Sequence, residues 1–343
     1  MIGVVVVGAG HWGPNLIRNF HNPPASRVVR VVDQSERRLA QVAERYPDVA
    51  IGTRLDDALE DDDVSAVVVA TPTSTHHVIV RQALGAGRHV LVEKPITTTS
   101  AEGLELDALA RQRGVVLMVG HVFVYNGGVR KVREYIEQDV LGTIFYISMV
   151  RTNLGPIRVD VNAAWDLASH DISIANYWLT AEPIAASAVG GSWINPGVED
   201  AVFATLRYPR GVLVNLHSSW LNPRKSRDIT VVGDRSMLTL DDMNLNEPIR
   251  IYDKGVTDET FTPAFIDTFA SFRAGLREGS ITIPRVGLGE PLRAECDHFL
   301  DCIASGSAPM TGAPEAISVV RVLEAIERSA RNGGREEPVG SQV

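Results

Sequence analysis

Lys94 closes the run Arg88-His89-Val90-Leu91-Val92-Glu93-Lys94-Pro95, where an apolar stretch ends in a charged pair held by a proline. Lysine and glutamate are costly to bury without partners, so a buried strand leaving through such a pair leaves into a site. A second group opens the chain: Val4 to Val7, then Gly8-Ala9-Gly10-His11-Trp12-Gly13, with Asp33 twenty residues beyond the last glycine. The first two glycines let a turn close and a pyrophosphate approach a helix N-terminus, and the third lets helix and strand pack closely. Asp33, at the end of the next strand, is placed to accept hydrogen bonds from ribose hydroxyls, and its charge repels a 2′-phosphate. The spacing therefore predicts NAD in preference to NADP, while Arg37 and Arg38 stand where they could flank a phosphate or stack on adenine. A third group is Trp165-Asp166-Leu167-Ala168-Ser169-His170-Asp171, in which Asp166 and His170, four apart, share a helix face. Histidine titrates near neutrality and can take a hydroxyl proton while a nearby carboxylate orients it. Together the three groups predict hydride transfer at an alcohol or ketone.

Each group has a plainer reading. A lysine before proline could be a surface residue at a loop entry; its place at a strand end in a nucleotide-binding sheet favours the site. Asp166 could be an acidic residue at a helix N-terminus, or with His170 half of a metal pair. Metal is disfavoured, because no cysteine lies nearby and hydride transfer from a secondary alcohol needs only a base and an organised cofactor. Thr71-Pro72-Thr73-Ser74-Thr75-His76-His77 suits a loop beside the cofactor, and Ser74 or Thr75 as a helix cap accounts for it equally well. Arg151 with Arg158, and Arg224, Lys225 and Arg227, could hold a substrate phosphate by charge-assisted bonds or be solvated residues of hairpin tips.

The elements that must position these groups follow from periodicity. Up to about residue 120, strands at Ile2 to Val7, Val28 to Val32, Val64 to Ala70, His89 to Val92 and Val115 to Val119 alternate with helical stretches at Leu16 to Phe20, Glu36 to Arg45, His76 to Ala86 and Ala101 to Arg113. Such alternation predicts an α/β fold, a doubly wound parallel sheet covered on both faces, with Ser35 and Ser100 as helix caps. Gly8, Asp33, Thr71-Pro72 and Glu93-Lys94 all fall at strand carboxyl ends, where open sheets of this kind bind ligands. Beyond it, a helix over Val129 to Glu137 and another over Ala163 to Leu179 accompany strands at Thr143 to Thr152, Ile184 to Trp193, Ala201 to Tyr208, Val212 to Trp220, Asp228 to Gly233 and Ser236 to Leu240. Short turns such as Pro209-Arg210-Gly211 make this half an α+β domain with a large, mostly antiparallel sheet, closed by helices at Ala294 to Ala304 and Pro314 to Arg331. The expected division is 1–120 for the dinucleotide domain and 121–343 for substrate binding and oligomerisation, with a frayed tail from Asn332.

Composition narrows the partners. The 343 residues exceed what one core supports, and 33 basic against 42 acidic residues leave a net charge of −9, which disfavours nucleic acid or an anionic membrane as a general partner. Cys296 and Cys302 lie six apart in a helical pattern and point away from each other, so both read as reduced structural thiols. The opening valine run is too short for a signal-peptide core and no stretch approaches a membrane span, which predicts a cytoplasmic protein.

Gly8-Ala9-Gly10-His11-Trp12-Gly13, Ala70-Thr71-Pro72, Glu93-Lys94-Pro95 and the Asp166/His170 pair stand in the order and spacing of the Gfo/Idh/MocA oxidoreductases, which the chain resembles over nearly its whole length. The resemblance implies an N-terminal Rossmann domain and a C-terminal domain whose open sheet builds a homodimer or homotetramer. It implies that Lys94 polarises the reacting hydroxyl, His170 is the acid/base and Asp166 its partner. It places Gly8, Gly10, His11, Trp12, Gly13, Asp33, Arg38, Thr71, Pro72, His76, Glu93 and Lys94 about the NAD. The stretches Gly13 to Phe20, Val119 to Phe123, and Asn153-Leu154-Gly155 leading to Trp165 look like the branch acting on nucleotide-linked sugars, including UDP-N-acetylglucosamine 3-dehydrogenases and the sugar 3-ketoreductases of antibiotic pathways. That likeness makes Lys94, His121, Arg151, Arg158, Asp166, His170 and Arg224 substrate residues, with oxidation at C3 of a nucleotide-linked or amino sugar. Inositol, polyol or aminoglycoside dehydrogenation, NADP-dependent 3-ketoreduction, and a nucleotide-sensing relative without catalysis are the alternatives.

Overall fold

Four consecutive valines make strand β1 (Ile2–Val7) apolar on both faces, and Val4 to Val7 are at most 5% exposed. A strand with no polar face can only sit in a sheet covered on both sides. The computed structural model describes residues 1–21, 24–158, 161–256, 276–277, 279–287 and 289–340, and in it β1 is central to a six-stranded sheet. With β2 (Ser26–Val32), β3 (Ala50–Gly52), β4 (Ala66–Val69), β5 (His89–Glu93) and β6 (Leu117–Gly120), the order is β3-β2-β1-β4-β5-β6, every pairing parallel. Strand order reverses between β1 and β4, so the turns after β1, β2, β4, β5 and β6 gather at one carboxyl edge. The edge strand β3 escaped sequence reading because three residues show no period.

Helices α1 (Gly13–His21), α2 (Glu36–Arg45), the short α3 (Asp56–Leu59), α4 (His76–Gly85) and α5 (Ser100–Arg113) connect these strands. Ser35 caps α2 by accepting from the Arg38 amide at 3.4 Å, as its type predicts. Ser100 does not cap α5. Thr99 does, accepting from the Glu102 amide at 3.3 Å, because Thr99 holds the extended backbone a cap requires while Ser100 is already helical.

Contacts divide the chain into two compact units, residues 1–125 with 289–321 and residues 126–288 with 322–343. The expected single boundary at 120/121 differs from this, since 121–125 and a late segment join the first unit. Helix α8 (Pro291–Ser305) explains the return: Phe299 meets Phe20 of α1 edge to face at 6.2 Å, both fully buried. After it, the Thr311 hydroxyl donates to Val119 O and the Val119 amide to Thr311 O, both at 2.8 Å, covering the outer edge of β6.

In the second unit, α6 (Gly127–Glu137) and α7 (Ser169–Leu179) accompany a nine-stranded sheet. Its strands are β7 (Ile144–Leu154), β8 (Ala185–Gly191), β9 (Ala201–Arg207), β10 (Leu213–Ser219), β11 (Leu221–Gly233), β12 (Met237–Asp241), β13 (Ile249–Tyr252), β16 (Ile281–Thr282) and β17 (Glu337–Pro338), while β14 (Gly255–Val256) and β15 (Leu276–Arg277) pair only with each other. The order β16-β13-β12-β11-β7-β10-β9-β8-β17 is antiparallel except for the central β7/β10 pair, so the sheet is mixed. Along β9 and β10 one face is buried, with Ala204, Leu206, Val214 and Leu216 at most 3% exposed, while Phe203 and Leu213 on the other are each 46% exposed. The tail does not fray throughout: β17 pairs with β8, and Arg328 donates to Pro338 O.

Candidate functional site

The first turn of the first unit is built for close approach. Gly8 has φ of 99°, and a Cβ there would lie 2.6 Å from Ala70 O; at Gly13 it would lie 2.1 Å from Gly8 O. Neither position tolerates a side chain, and α1 begins without an acidic residue in its first turn that would repel an anion at its N-terminus. Asp33, 8% exposed, accepts from the Ala9 amide and the Ser35 amide, each at 2.7 Å, so the predicted ribose partner also ties the glycine turn to the end of β2. Arg38 reaches Asp33 at 3.6 Å and is half exposed. His11 and Trp12 form an exposed edge-to-face pair at the turn. These residues fit a dinucleotide, with Asp33 keeping acceptor capacity for ribose hydroxyls.

The strand ends beyond the reversal carry the rest. The Thr75 hydroxyl donates to Pro72 O at 2.7 Å and lies 2.7 Å from the Thr71 hydroxyl, and neither Ser74 nor Thr75 caps α4 through its side chain. His76 is not a surface residue but 1% exposed, its Nδ1 2.8 Å from Pro95 O and its Nε2 2.9 Å from Thr71 O. It links the two turns that follow β4 and β5. Burial lowers its pKa against the pull of those carbonyls.

Glu93 ends β5 opposite Gly120, and the Lys94–Pro95 peptide after it is cis. Burial pushes the Glu93 carboxyl up to about 7, against the lowering effect of the Lys94 charge. His121, just past β6, is 2% exposed with neither ring nitrogen hydrogen-bonded, and burial followed by the Lys94 charge pushes it down to about 3. The Lys94 charge thus acts on both a buried carboxyl and a buried imidazole. Sequence reading missed a third group: Glu295 of α8, wholly buried, with no hydrogen-bond partner at either oxygen. Its signal was an acidic residue inside the apolar stripe Leu292, Cys296 and Phe299.

In the second unit, Ala164–Ala168 forms one π-helical turn leading into α7, with the Ser169 amide bonded to Ala164 O. Such turns widen the helix and recur at functional sites. This one presents Asp166, whose Oδ1 accepts from Arg158 Nη1 at 3.2 Å and whose Oδ2 accepts from Trp220 Nε1 at 3.1 Å. His170 lies one helical step on. Trp220, fully buried, carried no local sequence signal, because its indole reaches Asp166 across 54 positions.

The arginines separate. Arg151 is 5% exposed and gives Nε and Nη2 to Asp171 Oδ1 at 2.9 and 2.6 Å, so it is the partner of a buried carboxylate and not a solvated phosphate holder. Burial raises the Asp171 pKa against Arg151 and Arg227. Arg158 serves Asp166, and Arg227 bonds Asp242 at 2.8 Å. Arg224 and Lys225 remain exposed, not on a hairpin tip but in a bulge where 222–225 of β11 lie between the pairs Leu221/Leu154 and Ser226/Thr152. Cys296 and Cys302 are free thiols, and among the described residues no three His, Cys, Asp or Glu side chains gather as metal ligands. No helix of the described residues is long and apolar enough to cross a membrane.

Residues 2–121 match the model of an oxidoreductase family, NAD-binding Rossmann fold, and residues 129–239 match the Gfo/Idh/MocA C-terminal domain. The chain is 28% identical over 309 residues to a UDP-N-acetylglucosamine 3-dehydrogenase of Acidithiobacillus ferrooxidans, covering 88% of each chain. It is also 28% identical to inositol 2-dehydrogenase 2 of Paenarthrobacter aurescens, covering 97% of each. Among solved structures, GenD2 from gentamicin A biosynthesis in complex with NAD superposes with a TM-score of 0.81 at 27% identity, over 99% of this chain and 97% of that one.

Proposed function

The chain belongs to the Gfo/Idh/MocA oxidoreductase family, and from that premise we propose that it oxidises a ring hydroxyl of a sugar, at C3 of a nucleotide-linked or amino sugar, to a ketone. The observation that carries the reading is Asp166, clamped between Trp220 and Arg158 one helical step from His170. A carboxylate held at both oxygens is a fixed partner for an acid/base histidine. The similarity to a UDP-N-acetylglucosamine 3-dehydrogenase and to an enzyme of gentamicin A biosynthesis supports a nucleotide-linked or amino sugar.

The carbinol hydrogen leaves with its electron pair, and bound NAD supplies the acceptor at nicotinamide C4. Lys94 polarises the hydroxyl, His170 takes its proton, and the C–O bond becomes C=O. Gly8, Gly10 and Gly13 admit the pyrophosphate and Asp33 accepts from the ribose. Arg224 and Lys225, exposed in the β11 bulge, are the phosphate-holding candidates that Arg151 no longer is. The solvent face bearing Phe203 and Leu213 is the proposed self-association surface, checked by light scattering of Leu213→Asp.

The test is turnover of the purified protein with NAD on a panel of UDP-sugars, aminoglycosides and inositols, followed by absorbance of the reduced nicotinamide. Activity on a UDP-sugar or aminoglycoside supports the reading. Activity on inositol alone overturns it in favour of the second reading, which the inositol dehydrogenase relative supports. A Lys94→Ala variant with undiminished turnover removes the mechanism.

A further inference from the structure

Glu327 stands where the pattern of its helix calls for an apolar side chain. In α9 (Ala313–Arg331), Val320, Leu323 and Glu327 follow the i, i+3, i+7 spacing of one face, and the first two are fully buried. The half-buried carboxylate that completes the row is bonded at both oxygens. Its Oε1 accepts from the Trp165 indole N–H at 2.7 Å, and its Oε2 accepts from Arg331 Nη2, one helical turn on, at 3.2 Å. A buried indole needs an acceptor, which a carbonyl or a water can supply. A carboxylate held by a second partner also fixes where the indole lies. Trp165 is 7% exposed and immediately precedes Asp166.

The entry to the π-helical turn is held at Asn162. Its Oδ1 accepts from the Trp165 amide and its backbone oxygen from the Asp166 amide, each at 3.1 Å, while its Nδ2 donates to Glu199 Oε2 at 2.8 Å. The Glu199 backbone oxygen accepts from the Ala163 amide at 2.9 Å, and the next carbonyl, that of Asp200, accepts from the Trp220 amide at 3.0 Å. Two neighbouring carbonyls thus hold the residue that enters the turn and the residue whose indole bonds Asp166. A cavity of about 190 Å³ opens beside these groups, with Asn162, Glu199, Glu327 and Arg331 in its lining. Packing does not close this side of the turn, so its hydrogen bonds must hold it. Trp165 is pinned at its amide by Asn162 and at the far edge of its ring by Glu327, which fixes the rotation of the peptide that leads into Asp166.

We propose that Glu327 is a positioning residue of the hydride-transfer site: by accepting from the Trp165 indole it holds the π-helical turn in the rotation that presents Asp166 to Trp220 and Arg158. The inference deepens the oxidoreductase reading, on which it rests for the role of Asp166. Without the Glu327 bond the turn is free to rotate toward the cavity, and Asp166 draws away from the indole and the guanidinium that clamp it. Periodicity alone reads α9 as packing.

Nuclear magnetic resonance of the whole protein, its tryptophan indoles isotopically labelled at nitrogen, tests this without a substrate. The chain has five tryptophans, and Trp220→Phe identifies the Trp220 indole signal. That signal is expected to shift in Asp166→Ala, which removes its acceptor, and to shift in the same direction in Glu327→Leu. It is expected to keep its wild-type position in Glu327→Gln, whose amide oxygen still accepts from Trp165. Should Glu327→Leu fail to fold, Trp165→Phe breaks the same bond from the donor side and is expected to give the same shift. A folded Glu327→Leu or Trp165→Phe variant with the Trp220 signal unmoved overturns the proposal. On a substrate that turns over, Glu327→Leu lowers kcat about tenfold with KM for NAD unchanged, and Glu327→Gln stays within about threefold of wild type. Wild-type kcat in Glu327→Leu overturns the link to the reaction. A carboxylate that only satisfied a buried indole would move the melting temperature and neither the Trp220 signal nor kcat. If the substrate panel defeats the sugar reading, the spectra still decide whether Glu327 sets the position of Asp166.

Discussion

Trp220 donates its indole N–H to Asp166 Oδ2 at 3.1 Å. The donor lies between β10 and β11 and the acceptor on a π-helical turn, so the bond ties the sheet of the second unit to the base of α7. Trp220→Phe keeps an aromatic ring, removes this donor and leaves a small cavity where the rest of the buried indole stood. A hydrogen bond to a charged group is worth about 1.5–3 kcal/mol, so kcat should fall about 10–150-fold with KM for the sugar nearly unchanged. Steady-state kinetics beside a melting curve will check it; wild-type kcat in a folded variant removes Trp220 from the site.

Asp33 carries a double duty, holding the Ala9 and Ser35 amides and standing ready for the ribose. Asp33→Ser should weaken NAD binding by about 10–100-fold, the loss of charge-assisted bonds. It should also narrow the preference for NAD over NADP, since Arg38 would no longer face a carboxylate. Titrating both cofactors by nicotinamide fluorescence measures the two effects, and an unchanged NAD/NADP ratio rejects the assignment.

Glu93 and His121 impose opposite pH dependences on stability. Glu93 sits at about 7 in the folded chain against 4.5 ordinarily, so the native state binds the extra proton, and that stabilisation is present below about 4.5 and lost as pH rises through about 7. His121 sits at about 3 against 6.5, so the unfolded chain binds the extra proton, and its stabilisation is present above about 6.5 and lost as pH falls toward 3. Relative to wild type, Glu93→Gln should therefore gain about 2–3 kcal/mol between pH 4.5 and 6.5, and His121→Asn should lose a similar amount. Urea unfolding at fixed pH values reads both; parallel curves for all three proteins contradict the assignment.

The Arg151/Asp171 pair is buried on both sides, with side chains 6% and 2% exposed. Asp171→Asn leaves a buried guanidinium facing an amide and should cost about 3–5 kcal/mol, whereas Arg151→Met with Asp171→Leu should recover most of it. Denaturant midpoints of the single and double variants decide the matter. A double variant no better than the single one means the pair does more than neutralise itself.

The first unit was legible where composition and spacing coincide with geometry. Four valines, three glycines and Asp33 describe one strand, one turn and one strand end, all local. Lys94 was visible because a charged residue at the end of an apolar run is anomalous by itself. Arg151 misled because an arginine on an alternating strand looks the same whether its head meets solvent or Asp171, twenty positions away. Trp220 and the return of α8 were hidden for the same reason: each acquires meaning from a partner distant in sequence. The mixed character of the second sheet was equally invisible, since pairing direction between β7 and β10 leaves no trace in either strand's alternation.

The covering of β6 by Thr311 bears on how the protein is made. The two residues that close that edge, Val119 and Thr311, are 192 positions apart. At about 5–20 residues per second, synthesis leaves a bare strand edge on the emerging chain for roughly 10–40 s before its cover exists. During that interval the first unit is begun but unfinished, with Phe20 also waiting for Phe299. A ribosome stalled between these points holds a template for strand pairing with another chain.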